Sequence, residues 1–176
     1  SAFAAELVRG RTFRRRYLPD RSSPAGVLSS VNTILHQRQL EEYYCTLCYA
    51  VFDLKRHVLT MANSGLPYPI RWSAGECTQI ELPGVPLGSF PGTTYDEVSL
   101  ALHAGDIFVF YSDGDSEAMN EMSQEFTSEQ LMAVVQESAG LPAQKIVDAI
   151  VAAVEKWRGD EPPNDDMTAV AVRITA

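Results

Sequence analysis

The sequence lacks the features that mark several large classes of protein. Only three of its 176 residues are cysteines, and this odd number argues against a disulfide framework and predicts a reducing cytoplasm. No apolar run approaches the roughly 20 residues that a membrane-spanning helix needs, and no signal-peptide pattern opens the chain. The net charge of -9 is opposite in sign to a nucleic-acid-binding surface. We therefore expect a cytoplasmic protein without membrane insertion or a nucleic-acid partner.

Several catalytic motifs are also missing. The chain has no Gly-x-x-x-x-Gly-Lys phosphate loop and no Gly-x-Ser-x-Gly nucleophile elbow. His36, His57 and His103 do not have the spacing of zinc ligands. Cys45 and Cys48 have the spacing of a redox motif, but they fall within a predicted strand, so we expect buried structural cysteines. The sequence therefore gives no support to nucleotide-hydrolysing, serine-hydrolase, zinc or dithiol chemistry.

The order of predicted elements indicates the fold class. The length and the hydrophobic content of 45% predict a single domain over residues 1–176. Two helices come first, then a run of strands, then two more helices and a closing strand, which predicts an α+β fold with helices packed on a mainly antiparallel sheet. The predicted helices are 2–17, 24–39, 129–138 and 141–157, and the predicted strands are 43–53, 57–62, 69–72, 77–82, 98–102, 107–111 and 167–174.

Two acidic segments each adjoin an apolar strand. Asp113 follows the run Ile107–Tyr111, whereas Asp165 and Asp166 come just before the closing strand. If these strands are neighbours in the sheet, their carboxylates converge at one edge, and Gly114 lets the backbone turn tightly there. Oxygen ligands of this kind suit Mg²⁺ or Mn²⁺, which can activate a water for attack on a phosphoryl group. On spacing alone, however, two ordinary acidic turns remain the simpler interpretation.

The surroundings of these segments resemble a known family. The motifs NSGLPYPI, GVPLG, LHAGDIFVFYSDGDSEAMN, EFTSEQL and NDDMTAVAVRI follow one another in a set order over nearly the whole chain. This order is similar to that of the metal-dependent PPM-type (PP2C-like) serine/threonine phosphatases, specifically the bacterial SpoIIE/RsbU branch. The resemblance implies a four-layer α-β-β-α sandwich, in which mainly antiparallel sheets are flanked by helices.

The resemblance also implies a function. It points to a phosphatase that hydrolyses phosphoserine or phosphothreonine on a regulatory protein, of the anti-sigma-factor-antagonist type, in bacterial signal transduction such as a stress response. Mn²⁺ or Mg²⁺ would be the cofactor, with two or more ions in the intact domain. Asp113 would be the metal ligand of the "[ST]DG" motif and Asp165 that of the closing "D-[DN]-x-T" motif, with Asp166 beside it. A metal-activated water would be the nucleophile, so no catalytic side chain is implied beyond the ligands.

The chain departs from the family pattern at several positions. Asp115 stands where an apolar residue is usual, Ser112 replaces the commoner Thr, and Leu66 occupies a position where "GH" is usual. We expect Asp115 to lie in a solvated turn, although a carboxylate there could instead recruit a cation or repel phosphate. The early "D-x-x-G-[HK]-G" segment is absent, since the chain begins within the helix that normally follows it. We therefore expect one metal-ligand aspartate and one or two leading strands to be missing.

Two interpretations remain open. The chain is either a phosphatase domain that lacks its first strands or a degenerate member that binds partners without catalysis. The resemblance further implies that a sensor or receiver domain precedes the phosphatase. A chain without its first strands could also exchange segments between two copies, which would give a homodimer.

Overall fold

The computed structural model describes residues 23–37, 44–163 and 165–175, which belong to two compact units. The predicted helix over residues 2–17 lies outside the described residues. The elements in chain order are α1 (Pro24–Gln37), β1 (Cys48–Asp53), β2 (Val58–Asn63), β3 (Ile70–Ser73), β4 (Glu76–Gln79), β5 (Val98–Ala101), β6 (Ile107–Tyr111), α2 (Asp113–Ser116), α3 (Ser128–Ser138), α4 (Ala143–Arg158) and β7 (Ala169–Arg173).

The first unit contains the described residues up to Leu66 together with Leu82–Leu102. Its three-stranded sheet has the order β1-β2-β5, and both pairings are antiparallel. Helix α1 packs on this sheet because its apolar positions recur at helical spacing and form one buried face. The buried core of the unit consists of Val27, Leu28, Val31, Leu35, Ala62, Leu87 and Tyr95.

The start of α1 is capped by side chains from two parts of the chain. The Ser23 hydroxyl accepts a hydrogen bond from Gly26 N at 3.1 Å, as an N-cap side chain does. The Glu97 carboxylate accepts bonds from the Ser23 hydroxyl and from Ala25 N, each at 3.1 Å. Its negative charge also suits the positive end of the helix dipole. Pro24 occupies the first helical position, where its missing N–H costs nothing.

The second unit contains Pro67–Glu81 and the chain from His103 onward. Its antiparallel sheet has the order β4-β3-β6-β7, with β6 in the interior. Helices α3 and α4 pack against this sheet. The buried face of α4 consists of Ile146, Ile150 and Val154, which lie one helical turn apart. The core also includes Ile70, Ile107, Val109, Tyr111, Leu131 and Val135.

The α+β class and the antiparallel sheets are confirmed, and most predicted elements lie within a few residues of their observed bounds. The prediction of a single domain over residues 1–176 stays a prediction. Strand β6 begins and ends where the sequence predicts, and α4 ends one residue later. Helix α3 begins at Ser128, one residue before the predicted start, and is capped by Thr127, whose N donates to the Gln130 side chain in a capping box. The four-residue helix α2 is absent from the sequence prediction.

The cysteines are free thiols, as predicted, although they are half-buried rather than buried. Burial raises the pKa of Cys48 and of Cys77 to about 11, and it also raises the pKa of Cys45. All three thiols are therefore protonated at neutral pH and are poor nucleophiles. Within the described ranges, no helix is long and apolar enough to cross a membrane. The cytoplasmic location stays a prediction.

Candidate functional site

The two acidic segments meet because β6 and β7 are neighbouring antiparallel strands. Tyr111, the last residue of β6, is paired with Ala169, the first residue of β7. The pairing continues one step beyond the strands, where Ser112 N donates to Thr168 O at 3.0 Å. The C-terminal end of β6 and the segment before β7 therefore lie at the same edge of the sheet. This is the adjacency on which the predicted convergence of carboxylates depends.

Asp113 lies at the first position of α2, directly after this edge. Its side chain is exposed, and its Oδ1 accepts a hydrogen bond from Gly114 N at 3.1 Å. Asp165 and Asp166 are also exposed, and Asp165 Oδ1 accepts a bond from Asp166 N at 2.7 Å. These local bonds orient the carboxylates of Asp113 and Asp165 while leaving them accessible to solvent. The structure therefore brings the three predicted site residues to one sheet edge on two segments that are distant in sequence.

Gly114 is the point at which the two acidic segments contact each other. A Cβ atom built on Gly114 would lie 2.5 Å from the Asp166 carbonyl oxygen and 2.9 Å from the Asp166 carbonyl carbon. Side chains essentially never approach a backbone atom so closely, so only glycine fits here. The glycine is therefore needed for close approach between backbones rather than for an unusual turn.

Asp115 is buried completely, so the expectation of a solvated turn is wrong. Its relative exposure is 0%, and its Oδ2 accepts hydrogen bonds from Ser112 N at 3.2 Å, the Ser112 hydroxyl at 3.0 Å and Thr168 N at 3.0 Å. We call this group of contacts the Ser112–Asp115–Thr168 clasp. The first contact arises because Ser112 is the N-cap of α2 and Asp115 is its third residue, which gives a capping box, and the second joins the same two residues side chain to side chain. The third contact links α2 to the segment before β7.

The Ser112 hydroxyl reinforces the clasp from the other side. Its oxygen lies 3.1 Å from the Asp166 carbonyl oxygen, which can share the single hydroxyl proton with Asp115 Oδ2, and it accepts a bond from Thr168 N at 3.0 Å. Thr168 N is thus shared between the Ser112 hydroxyl and the Asp115 carboxylate. The other oxygen of Asp115, Oδ1, is buried and has no hydrogen-bond partner among the described residues.

A second buried carboxylate lies at the opposite end of β6 and has a structural role. Asp106, which is 2% exposed, accepts bonds from the Arg71 guanidinium at 2.7 Å, the Ser73 hydroxyl at 2.6 Å and His103 N at 3.1 Å. Burial alone would raise the pKa of Asp106, but these hydrogen bonds and the Arg71 charge outweigh it and lower the pKa below its usual value of 3.8. The Asp106 carboxylate therefore links β3 to the start of β6 through its bonds to Arg71 and Ser73.

The exposed carboxylates fit a hard divalent cation in their donor chemistry. Asp113 and Asp165 offer oxygen ligands only, and Mg²⁺ is commonly held by one or two carboxylates while it keeps several waters. Within the described part of the chain, no group of three His, Cys, Asp or Glu side chains is close enough to hold an ion. Water or residues outside the described ranges would therefore have to complete the coordination.

Sequence reasoning missed the clasp, although a signal for it was present. The residues Ser112 to Asp115 have the Ser-x-x-acidic spacing that is typical of a capping box at a helix start. That spacing predicts a hydrogen bond from Ser112 N to the Asp115 carboxylate. It does not predict the bond from Thr168 N to Asp115, because Thr168 is 53 positions away from Asp115 in the sequence.

Comparison with known proteins identifies relatives of the whole chain. The family model described as Stage II sporulation protein E (SpoIIE) matches residues 2–175. The protein named phosphoserine phosphatase RsbU from Bacillus subtilis (strain 168) is 26% identical over 152 residues, which cover 85% of this chain and 45% of the relative. The chain thus spans less than half the length of this curated relative.

Solved structures with the same fold cover almost all of the chain. The SiaA-PP2C domain of Pseudomonas aeruginosa has a TM-score of 0.78 at 19% identity and covers 98% of this chain and 66% of that chain. The RsbU and RsbW domains of Rv1364c from Mycobacterium tuberculosis give 0.78 at 20% identity, with coverage of 99% and 48%. The catalytic domain of the serine/threonine protein phosphatase PstP, in complex with two manganese ions, gives 0.62 at 17% identity, with coverage of 99% and 78%. At these identities the comparison establishes a shared fold.

Proposed function

Because the chain belongs to the SpoIIE family of PP2C-like phosphatase domains, we propose that it hydrolyses phosphoserine or phosphothreonine on a regulatory protein with a divalent metal as cofactor. The observation that carries this proposal is the pairing of β6 with β7, which brings Asp113 and Asp165 to one sheet edge. Two ordinary acidic turns would not need the close contact between Gly114 and Asp166 or the buried clasp beside it.

The metal proposed for this edge is Mn²⁺ or Mg²⁺, with two or more ions in the intact domain. The two manganese ions in the PstP structure support this proposal. Asp113 and Asp165 would hold metal, with Asp166 as a third, weaker candidate. When bound, the cation would supply an activated water and would neutralise charge on the phosphate oxygens. The carboxylates would bind and orient the metal. Gly114 permits the close approach of the segments that carry them, and the clasp holds those segments in place relative to each other.

Electrostatics explains why a cation belongs at this edge if the substrate is a phosphate ester. Asp113, Asp165 and Asp166 are exposed carboxylates, and the chain as a whole has a net charge of -9. Such a surface would repel a phosphoryl dianion within the Debye screening length. A divalent cation between the carboxylates and the phosphate turns this repulsion into attraction.

The proposed substrate is a phosphorylated anti-sigma-factor antagonist, in a bacterial regulatory pathway such as a stress response. Two findings support this choice: the curated relative is named a phosphoserine phosphatase, and one solved neighbour contains RsbU and RsbW domains in one protein. A sensor or receiver domain upstream of the phosphatase belongs to the same proposal. So does the homodimer formed by exchange of segments, which a strictly monomeric mass in solution would contradict.

A catalytically inactive, partner-binding domain is the second candidate function. The observation that favours it is the lack of a three-residue metal cluster among the residues that the structure describes. The two candidates differ in one measurable respect, since a binding domain would hold the phosphoprotein without releasing phosphate.

The test is Mn²⁺-dependent hydrolysis of p-nitrophenyl phosphate and of a phosphoserine peptide. We would compare the chain, the intact gene product that contains it, and the Asp113→Asn and Asp165→Asn variants of the active form. We expect either variant to lose at least about 100-fold in activity, beyond the range typical of residues outside the ligand set. Asp53→Asn is the matched control, because Asp53 is the last residue of β1 and its Oδ1 likewise accepts backbone N–H bonds, from Lys55 and Arg56.

The outcomes separate the two candidate functions. Activity that requires Mn²⁺ and both aspartates, and that survives Asp53→Asn, would support the phosphatase. If no form releases phosphate at saturating Mn²⁺ although the phosphopeptide binds, the partner-binding function would replace it.

A further inference from the structure

We infer that Asp115 is a positioning residue that fixes the segment carrying Asp165 against the segment carrying Asp113. This inference rests on the proposed metal-dependent function, because those two aspartates are the proposed ligands. Asp115 itself stands at a position where the resemblance implies an apolar side chain, so its role is a property of this chain. The inference depends on the geometry of the Ser112–Asp115–Thr168 clasp.

The clasp joins two stretches of chain that no turn connects. Asp115 Oδ2 accepts one bond from Thr168 N and two from Ser112. Ser112 is the residue before Asp113, and Thr168 lies three residues after Asp165. A shift of one stretch relative to the other would therefore change the separation of the two proposed ligands directly. An apolar residue at position 115 could accept none of these three bonds.

The burial of Asp115 argues that it acts through other residues rather than by binding an ion itself. Asp113 and Asp165 are exposed, whereas Asp115 has no exposed surface. Its Oδ2 is occupied by three donors, so an ion at that oxygen would have to displace them. Replacement of residues that hold metal ligands in position typically weakens metal affinity by about 10- to 100-fold.

The contact at Gly114 limits the freedom of the same two stretches. A Cβ atom at position 114 would clash with the Asp166 carbonyl, so the two stretches lie close together here, and the clasp resists their separation. Close packing and hydrogen bonds together restrict how far one stretch can shift relative to the other. This is the arrangement expected where ligand geometry must be set before the ion arrives.

The test measures Mn²⁺ binding directly, by electron paramagnetic resonance of the free ion, in the intact gene product. The variants are Asp115→Asn, which keeps the shape of the side chain, and Ser112→Ala, which removes one hydroxyl and serves if the first variant does not fold. Asp53→Asn controls for loss of an aspartate charge at the end of β1, in the first unit. Amide hydrogen exchange at Thr168 in metal-free protein reports whether the clasp has opened.

We expect Asp115→Asn to weaken Mn²⁺ binding about 10-fold, to speed exchange at Thr168 and to leave circular dichroism unchanged. Ser112→Ala should act in the same direction, and the double variant should be less than additive because both residues belong to one network. A purely structural role would lower thermal stability without moving the Mn²⁺ affinity.

Three results would overturn the inference, and they are distinguishable. Unchanged Mn²⁺ affinity in Asp115→Asn, with normal binding by the wild type, would remove the positioning role alone. Loss of binding as complete as that of Asp113→Asn would make Asp115 a ligand instead. Absence of Mn²⁺ binding in the wild type would overturn the proposed function, and the inference with it.

Discussion

Replacement of Gly114 by alanine tests the close contact between the two acidic segments. The added Cβ would lie 2.5 Å from the Asp166 carbonyl oxygen, and real Cβ atoms essentially never come within 3.0 Å of a neighbour. The segment that carries Asp165 and Asp166 must then move by at least the difference, about 0.5 Å, or α2 must shift away from it. The obstacle is backbone rather than the flexible end of a side chain, so the adjustment is not cheap.

The expected cost follows from two opposing effects. Overpacking at a tight contact typically costs about 1–3 kcal/mol. Alanine in a helix gains up to about 1 kcal/mol over glycine, although α2 has only four residues and realises little of this. We therefore expect Gly114→Ala to lower the free energy of unfolding by about 1–2 kcal/mol. For a chain of this size that corresponds to a fall in melting temperature of about 2–8 °C.

The same displacement should reduce activity by more than the loss of stability explains. A misplacement of about 1 Å in a reacting group can cost about 100-fold in rate, so we expect a loss of about 10-fold from half that distance. The assays are thermal unfolding followed by circular dichroism and Mn²⁺-dependent phosphate release at a temperature where both proteins are folded. Thermal unfolding remains informative even if the proposed activity is absent.

Gly140→Ala is the matched control for this experiment. A Cβ atom at Gly140 meets nothing within 4 Å, so the substitution should leave stability unchanged or raise it slightly. If Gly114→Ala were as stable and as active as Gly140→Ala, the claim that the two acidic segments are held in fixed contact would be refuted.

Three further predictions concern the structural charges of the second unit. Asp106→Asn should lower the free energy of unfolding by about 3 kcal/mol, because it removes the buried carboxylate charge that pairs with the Arg71 guanidinium at 2.7 Å, and urea denaturation would measure this. The pKa of Asp106 is lowered in the folded state, so the contribution of its carboxylate to the free energy of unfolding is present above the unfolded pKa and is lost as pH falls through the folded pKa. The wild type should therefore lose stability below about pH 4. An equally steep loss in Asp106→Asn would contradict this. Arg173→Met should cost about 1–3 kcal/mol, since Arg173 donates to two carbonyl groups in the loop between α3 and α4, whereas an unchanged urea midpoint would show those bonds to be dispensable.

The sequence predicts those parts of the fold that depend on local pattern. The continuous apolar run of β6 and the one-turn spacing of Ile146, Ile150 and Val154 in α4 are signals contained within single elements. Convergence of Asp113 with Asp165 required one further assumption, that their strands are neighbours, and the observed pairing satisfies it.

The fate of Asp115 shows where local pattern fails. A charged residue after a glycine in an acidic stretch is usually solvated, and the sequence carries no sign that a distant backbone N–H will reach it. The burial of Asp115 depends on Thr168, which becomes its neighbour only after β7 pairs with β6. The short helix α2 was missed for a related reason, since four residues are too few to show helical periodicity.

The interrupted course of the chain through its two units has a consequence for how the protein forms. Strand β2 ends at Asn63, but its partner β5 begins only at Val98, and the intervening residues include β3 and β4 of the other unit. Pairing of β5 with β2 therefore closes a long loop, and this has an entropic cost that a local hairpin avoids. During synthesis, β5 is followed within a few residues by β6, the partner of β3. Each unit is thus built from two stretches of chain that alternate with those of the other unit, so no single cut separates the two units. Both sheets also need strand pairings between segments that are distant in the sequence, a kind of contact that slows folding.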